Sequence, residues 1–299
     1  MITRYQNKGK KKFEWLDVIN PTAEELRKIA DEYSLHSNSV QDSLQPEHLP
    51  KFEWIESTIF IIARIYDHLS LRDADSIQDI SNKVAIFVGK NFIITIHRGE
   101  QPFLEAIRSK YFDSAQVATP NDLLIKILYY ILQSYVTPSL TLETELDQLE
   151  TLIVLKNQTH AVLRKLYQLK RKAAVCLRIL RLSKTIIDNL DKNTTAPVHQ
   201  DLREFFLSLE TSYDQTIENA NNLLNLYISI SSQRTNEVVR VLTLFSVFFM
   251  PLTFIVGIYG MNFEFMPELR TPYGYPVVLI AMALITIGIY SWFKKKHWL

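Results

Sequence analysis

Two stretches near the C-terminus that carry no charged side chain constrain this chain more than any other feature. Positions 241–263 contain no Asp, Glu, Lys or Arg, and neither do positions 271–293. The most apolar part of the first stretch, 241–259, would form a helix about 29 Å long, close to the thickness of the hydrocarbon core of a bilayer. The sequence therefore predicts two membrane-spanning helices, at 241–259 and 275–293.

The charges that flank the two predicted spans indicate their orientation. Two arginines precede the first span, three lysines (294–296) follow the second, and the connecting segment 260–274 carries two glutamates and one arginine. Because basic flanks stay on the cytosolic side, both termini are expected in the cytosol. We expect a multi-pass protein of the cytoplasmic (inner) membrane, with 260–274 outside and 294–299 as a basic cytosolic tail.

Residues 1–200 are predicted to form an α+β cytosolic domain that includes a long helical hairpin. Runs rich in Ile, Val and Phe are typical of strands, and a Gly-Lys-Asn turn between the last two favours a β-hairpin. The predicted strands are 13–18, 58–67, 83–89 and 91–98, and the predicted helical regions are 21–33, about 120–157 and 159–190, with a loop at 191–197. Pro21 is expected to open the first helix, and Asn121 and Asp122 suit a cap.

A heptad-like seam predicts a long helix that leads into the first span. Its members are mostly apolar and alternate steps of four and three residues: Leu202, Phe206, Leu209, Tyr213, Thr216, Ala220, Leu223, Tyr227, Ile230 and Arg234. No Pro or Gly interrupts the segment before the membrane, so one helix is predicted from about Leu202 to Tyr259, with 201–240 as a cytosolic stalk. Self-association along the seam is the preferred interpretation, and packing on the chain's own domain is the alternative.

One face of the first predicted span is polar or small while the other faces are apolar. This stripe follows the helical spacing and contains no Asp, Glu or His: Asn236, Val239, Thr243, Ser246, Met250, Thr253 and Gly257, with Leu242 at its edge. Such a stripe faces protein or water, so it indicates either a pore wall or a helix-packing surface. Two spans cannot enclose a pore, so a pore requires several copies of the chain. Its neutral oxygens suit an ion that keeps its hydration shell, as Mg²⁺ prefers.

The segment after the first span carries the most specific motif in the chain. Gly260-Met261-Asn262 directly follows Tyr259, and the surrounding residues 250–269 and the segment 274–278 extend the pattern. Together with the long preceding helix and two C-terminal spans, these residues resemble the CorA family of magnesium and divalent-cation transporters. The resemblance covers the whole layout of the chain.

The resemblance implies a funnel-shaped homopentamer in the lipid bilayer that conducts Mg²⁺, and also Co²⁺ or Ni²⁺, into the cell. Gly260, Met261 and Asn262 would form the outer mouth and selectivity site, where the Asn262 side chain contacts the hydrated ion. Pore and gate positions would be Asn236, Val239, Leu242, Met250 and Thr253.

The resemblance also implies regulation by intracellular Mg²⁺. A metal ion bound between cytosolic domains would hold the channel shut, with Asp42 and Asp201 as the matching carboxylates. Some relatives have a glutamate where this chain has Gln41, so one further acidic ligand is missing here.

Two other functions compete with a magnesium channel. One is transport of zinc or another divalent metal by the same architecture. The other is a tail-anchored coiled-coil scaffold without transport. An enzyme is not expected, because the seven histidines show no HExxH spacing and no Gly-rich phosphate loop occurs. The formal net charge of +1 gives no indication of nucleic-acid binding, and the lone Cys176 is interpreted as a packing residue.

Overall fold

A computed structural model describes residues 1–7, 12–71, 74–155, 160–191, 197–262, 264 and 266–296. They belong to two compact units, Met1–Leu224 and Asn225–Leu299. The strands are β1 (Ile2–Gln6), β2 (Glu14–Ile19), β3 (Lys51–Ile55), β4 (Thr58–Tyr66), β5 (Ser81–Val88) and β6 (Phe92–His97). The α-helices are α1 (Ala23–Tyr33), α2 (Ser37–Leu44), α3 (Ile77–Ile80), α4 (Pro102–Ile107), α5 (Pro120–Gln133), α6 (Val136–Leu155), α7 (His160–Asp191), α8 (Pro197–Tyr259) and α9 (Gly274–Lys295). A π-helical turn lies at Arg108–Phe112 and a 3₁₀ turn at Pro267–Arg270.

The first unit is built on a six-stranded sheet in the order β1-β2-β6-β5-β4-β3. Only β2 and β6 pair in parallel, and the other neighbours are antiparallel. The central strands are buried along nearly their whole length, as expected for strands that are rich in Ile and covered on both faces. On one face the apolar sides of α1 and α2 pack on β2, β4, β5 and β6. The four strands predicted from sequence are present, whereas the edge strands β1 and β3 were missed.

The predicted hairpin between β5 and β6 is present. Val88 pairs with Ile93 across the turn, and the Gly89 amide donates to the Phe92 carbonyl at 2.9 Å. A Cβ added at Gly89 would lie 2.3 Å from the Phe92 ring, so the ring covers this position only because it is glycine.

The capping residues of two helices differ from the predicted ones, although α5 begins at Pro120 as predicted. Thr22 caps α1 in a capping box with Glu25, so Pro21 precedes the cap instead of opening the helix. Thr119 caps α5, with Asp122 completing the box from inside the first turn. In each box the Thr hydroxyl accepts a hydrogen bond from the third amide of the helix, which has no partner within the helix. Pro21 has no side-chain acceptor and cannot make this bond.

The predicted helical region from about 120 to 157 is interrupted by a break after α5. At that break the Ser134 hydroxyl accepts a hydrogen bond from the Tyr66 amide at 3.0 Å. The Tyr135 hydroxyl donates to the Arg64 carbonyl at 2.9 Å, and the Tyr135 carbonyl accepts from the Tyr213 hydroxyl at 2.8 Å. The break is thus tied to the sheet and to α8. The predicted end of the region near Asn157 lies outside the described residues, as do residues 192–196 of the predicted loop.

The helix predicted from about Leu202 to Tyr259 is present as α8, which begins at Pro197 and contains 63 residues. The predicted seam from Leu202 to Leu223 is buried in the first unit of the same chain. Self-association was therefore the wrong interpretation of this half of the seam, because the chain's own helices already cover it. Cys176 on α7 is buried as interpreted, and burial raises the pKa of its thiol to about 12.

In the second unit, α9 returns beside the end of α8. The Phe293 ring stacks on Phe248 with 5.9 Å between the ring centroids, and Phe293 is 1 % exposed. Between the two helices the 3₁₀ turn Pro267–Arg270 packs so closely on Gly274 that an added Cβ would lie 2.2 Å from the Glu268 carbonyl oxygen. Gly274 is therefore needed for the chain to enter α9 from this turn.

Candidate ion pathway and regulatory carboxylates

The end of α8 and the whole of α9 have the length and composition of membrane spans. Their most apolar windows have mean hydropathies of 2.3 and 2.0, and 0 % and 6 % of these windows are buried within the chain. A core helix of a soluble protein would be mostly buried, and these are not. An apolar surface of this size requires lipid or other protein chains as its surroundings.

The five predicted pore and gate positions all lie on α8 and are exposed. They are Asn236, Val239, Leu242, Met250 and Thr253. Phe248, on another face, contacts α9. The face that carries the five positions is therefore available to water or to neighbouring chains, while the Phe248 face is partly used within the chain.

Two hydroxyls of the polar stripe are satisfied inside the helix. Thr243 donates to the Val239 carbonyl at 2.8 Å, and Ser246 donates to the Leu242 carbonyl at 3.0 Å. Bonds of this kind are common for Ser and Thr in helices. These two side chains therefore do not by themselves require a water-filled surface.

The GMN tripeptide lies at the C-terminal end of α8. The Gly260 amide donates to the Val256 carbonyl at 2.9 Å, and the Met261 amide donates to the Ile258 carbonyl at 3.2 Å. These bonds close the last turn of the helix, and Asn262 follows as an exposed side chain. Phe263 and Phe265 lie outside the described residues. Asn262 is thus held close to the C-terminal end of the first span.

Asp42, one of the two predicted regulatory carboxylates, lies on α2 and is ion-paired within its own chain. Its Oδ2 accepts from Lys51 Nζ at 2.5 Å, and Lys51 Nζ also lies 3.0 Å from Glu53 Oε1. His48 Nε2 lies 3.1 Å from Asp42 Oδ1 without the alignment of a hydrogen bond. Burial raises the pKa of Asp42, but the hydrogen bond and charge of Lys51, with His48 nearby, outweigh this effect and lower the pKa. Asp42 is therefore a carboxylate with a cation already beside it.

The segment that carries Asp42 is fixed by three cations from three neighbouring parts of the sheet. Lys83 donates to the carbonyls of Asp42 at 2.9 Å and Ser43 at 2.7 Å, and also to that of Gln45. Arg98 donates to the carbonyl of Leu44, and Arg64 to those of Pro46 and His48. Cations at the end of a helix satisfy its last carbonyls and complement its dipole. The backbone around Asp42 is thus held in one position relative to the sheet.

Asp201, the second predicted carboxylate, is exposed in the second turn of α8. The contacts of Asp42 are to Lys51 and His48, and Asp201 is not among them. Within the described part of one chain, no group of three or more His, Cys, Asp and Glu side chains is arranged to hold a metal ion. Sequence reasoning missed Lys51 and Glu53, because nothing in the local pattern shows which carboxylate a lysine nine positions away will contact.

An α/β unit, a long helix that ends in an apolar span, and a second C-terminal span are the features of a membrane protein. Residues 10–295 match the family model described as CorA-like Mg2+ transporter protein. The chain belongs to this family.

Named relatives agree with the family assignment. The chain is 28 % identical over 283 residues to the cobalt/magnesium transport protein CorA of Thermotoga maritima, covering 92 % of this chain and 80 % of the relative. It is 29 % identical over 300 residues to the magnesium transport protein CorA of Helicobacter pylori strain 26695, covering 95 % and 90 %. The solved structure of the CorA magnesium transporter from Methanocaldococcus jannaschii matches with a TM-score of 0.79 at 22 % identity, over the full length of both chains. The predicted fold class is thereby confirmed.

Proposed function

We propose that this protein is a homopentameric channel that carries Mg²⁺ into the cytosol, accepts Co²⁺ or Ni²⁺ as further substrates, and is gated by intracellular Mg²⁺. The observation that carries the proposal is the family match over residues 10–295, with the GMN tripeptide placed at the end of the first span. The Thermotoga maritima relative is a cobalt/magnesium transport protein, which supports Co²⁺ as a further substrate. The protein lies in the cytoplasmic membrane with both termini in the cytosol, in agreement with the basic flanks of the spans.

Entry of the ion begins at the outer loop. Glu264, Glu268 and Arg270 give each loop a net charge of −1, so five copies place about −5 around the mouth and concentrate cations there. A ring of Asn262 side chains accepts hydrogen bonds from the water shell of the ion. Outer-sphere contacts suit Mg²⁺ because it gives up its water reluctantly.

Conduction follows the exposed face of α8. Asn236 and Thr253 offer neutral oxygens to a hydrated ion, and the apolar rings of Leu242 and Met250 form the gate. A narrow apolar ring closes a pore because water leaves it. The membrane potential, negative inside, drives a divalent cation inward.

Regulation involves Asp42 of one protomer and Asp201 of the next. Two facing carboxylates repel each other, and a divalent cation between them supplies the charge that cancels this repulsion. Carboxylate oxygens and the Gln41 amide, which lines the same surface pocket as Asp42, are ligands that Mg²⁺ accepts. The pair would stabilise a symmetric closed ring, because the carboxylates come together in that state alone.

Ion flux into proteoliposomes tests the transported substrate. We expect the reconstituted protein to take up Mg²⁺ under an inside-negative potential, with Co²⁺ carried or competing and Zn²⁺ uptake slower. Entry rates of each ion would be measured with a fluorescent indicator inside the vesicles. Faster Zn²⁺ than Mg²⁺ uptake would favour a zinc transporter, and no flux of any divalent ion would favour the scaffold.

Cysteine accessibility tests which face of α8 lines the pore. Cysteines at Asn236, Met250 and Thr253 are expected to react with small, water-soluble thiol reagents when the channel is open. A cysteine at Phe248 is the matched control, because that position contacts Phe293 and should be protected. The native Cys176 is buried with a raised pKa and gives little background. Equal labelling at all four positions would contradict a pore on this face.

A further inference from the structure

The ammonium group of Lys51 lies between two carboxylates. It is 2.5 Å from Asp42 Oδ2 and 3.0 Å from Glu53 Oε1, and its Nζ lies 5.0 Å from the centroid of the Phe60 ring. The Lys51 side chain is 24 % exposed, compared with 42 % for Glu53. The cation is therefore held at Asp42 by hydrogen bonds, charge and packing, and the more exposed carboxylate stands on its other side.

A carboxylate has two oxygens with about four lone-pair positions, and Lys51 occupies one of them on Oδ2. A metal ion that approaches Asp42, even at its other oxygen, is repelled by the positive charge of the ammonium group. Because Lys51 is part of the same chain, its effective concentration at Asp42 is high and does not depend on the solution. A metal ion therefore binds Asp42 less tightly while Lys51 stays beside it.

Glu53 already accepts a hydrogen bond from Lys51 at 3.0 Å and remains its partner if the contact to Asp42 is lost. Lys51 and Glu53 are two residues apart on the edge strand β3, so their side chains lie on the same face. When the hydrogen bond to Asp42 is lost, the ammonium keeps an acceptor at Glu53. Its displacement is then less costly than the loss of both partners.

We propose that Lys51 is a tethered cation that competes with the regulatory metal ion for Asp42, and that it withdraws from Asp42 but stays with Glu53 when the ion binds. This inference rests on the proposed regulatory role of Asp42. Lys51 raises the Mg²⁺ concentration at which the closed state is stabilised, because the ion binds most tightly to the sites from which the ammonium has withdrawn. A pair that is formed about nine-tenths of the time raises the apparent Kd about tenfold.

The test is a titration of the full-length protein with MgCl₂, read as protection of the cytosolic domain from a protease. For Lys51→Gln we expect the Mg²⁺ concentration that gives half protection to fall about tenfold. Lys51→Arg keeps a cation that pairs with carboxylates at least as well, so its midpoint should not fall below that of the parent. Lys90→Gln is the matched control, because Lys90 is exposed in the β5–β6 turn and its loss changes the net charge equally.

Replacing Glu53 is expected to shift the Mg²⁺ concentration that gives half protection in the opposite direction. In Glu53→Gln the ammonium has Asp42 as its remaining carboxylate partner, so half protection should require more Mg²⁺. In the double variant with Lys51→Gln, this increase should largely disappear, since Glu53 acts through Lys51. A general loss of structure would shift all of these variants in one direction.

The outcomes separate this inference from the proposed function. If Asp42→Asn abolishes protection while Lys51→Gln leaves the midpoint unchanged or raises it, Asp42 remains the sensor and the competing role of Lys51 is overturned. If Asp42→Asn retains the parent's protection, both the proposed sensor role of Asp42 and the competing role of Lys51 are overturned. Should Lys51→Gln not fold, Lys51→Met, which keeps an apolar stem beside Phe60, must give the same fall in the midpoint.

Discussion

Replacing Asn262 with alanine is expected to reduce Mg²⁺ uptake by about a hundredfold or more while the protein still assembles. Each hydrogen bond from the ion's water shell to a side-chain amide contributes about 1 kcal/mol, and a ring offers two or three such bonds at once. Their combined loss of about 3 kcal/mol corresponds to roughly a hundredfold in occupancy of the mouth. Asn262 is exposed beyond the last turn of α8, so its truncation leaves no buried cavity.

Uptake by the Asn262→Ala variant would be measured in proteoliposomes at limiting external Mg²⁺, with assembly followed by size-exclusion chromatography. Asn91→Ala is the matched control, because Asn91 is an exposed amide in the β5–β6 turn of the soluble unit. The control should keep the parent's rate. Near-parental uptake by a correctly assembled Asn262→Ala protein would rule out the proposed selectivity site.

Neutralising Asp42 and Asp201 together is expected to uncouple the channel from intracellular Mg²⁺. With asparagine at both positions, two neutral amides face each other across the protomer boundary, and a cation between them no longer favours the closed ring. Binding of Mg²⁺ with several waters retained is weak, on the order of millimolar. We expect protease protection to be absent at about ten times the Mg²⁺ concentration that half-protects the parent, and flux to persist at internal Mg²⁺ levels that close it.

Asp42→Asn also removes an ion pair, which requires its own control. The pair with Lys51 is about one quarter exposed, so its loss costs more stability than the loss of a fully exposed pair. Asp75→Asn is the control for loss of an ion pair with a different partner, since Asp75 lies 3.0 Å from Arg171 in a pair that is about half exposed. Unchanged protection and unchanged inhibition by internal Mg²⁺ in the Asp42/Asp201 variant would contradict this sensor and leave the pore assignment untouched.

Features encoded by neighbouring residues could be predicted from the sequence. The two spans follow from the length of the uncharged runs, and α8 follows from a segment without Pro or Gly between Leu202 and the membrane. The hairpin between β5 and β6 follows from its turn residues. In each case the hydrophobic effect and backbone sterics act within one element, so periodicity and composition are sufficient.

Features that depend on contacts between distant segments required the tertiary structure. The edge strand β1 alternates between exposed and half-buried positions, so it lacks the apolar run that identifies the central strands. The break after α5 exists because Tyr135 bonds to Arg64 and Tyr213. The seam of α8 fits either self-association or intrachain packing, and only the positions of the other helices decide between them.

The candidate sites also include parts that the local sequence determines and parts that depend on contacts between distant segments. The GMN tripeptide and the stripe on α8 are local patterns, and the sequence determined where they lie along the first span. The surroundings of Asp42 were decided by the tertiary structure, because its segment is held by Lys83, Arg98 and Arg64 from separate places in the chain. The tertiary structure also determines that Lys51 is the partner of Asp42. An ion pair depends on distances of a few ångströms between side chains, and the packing of α2 against the sheet sets those distances.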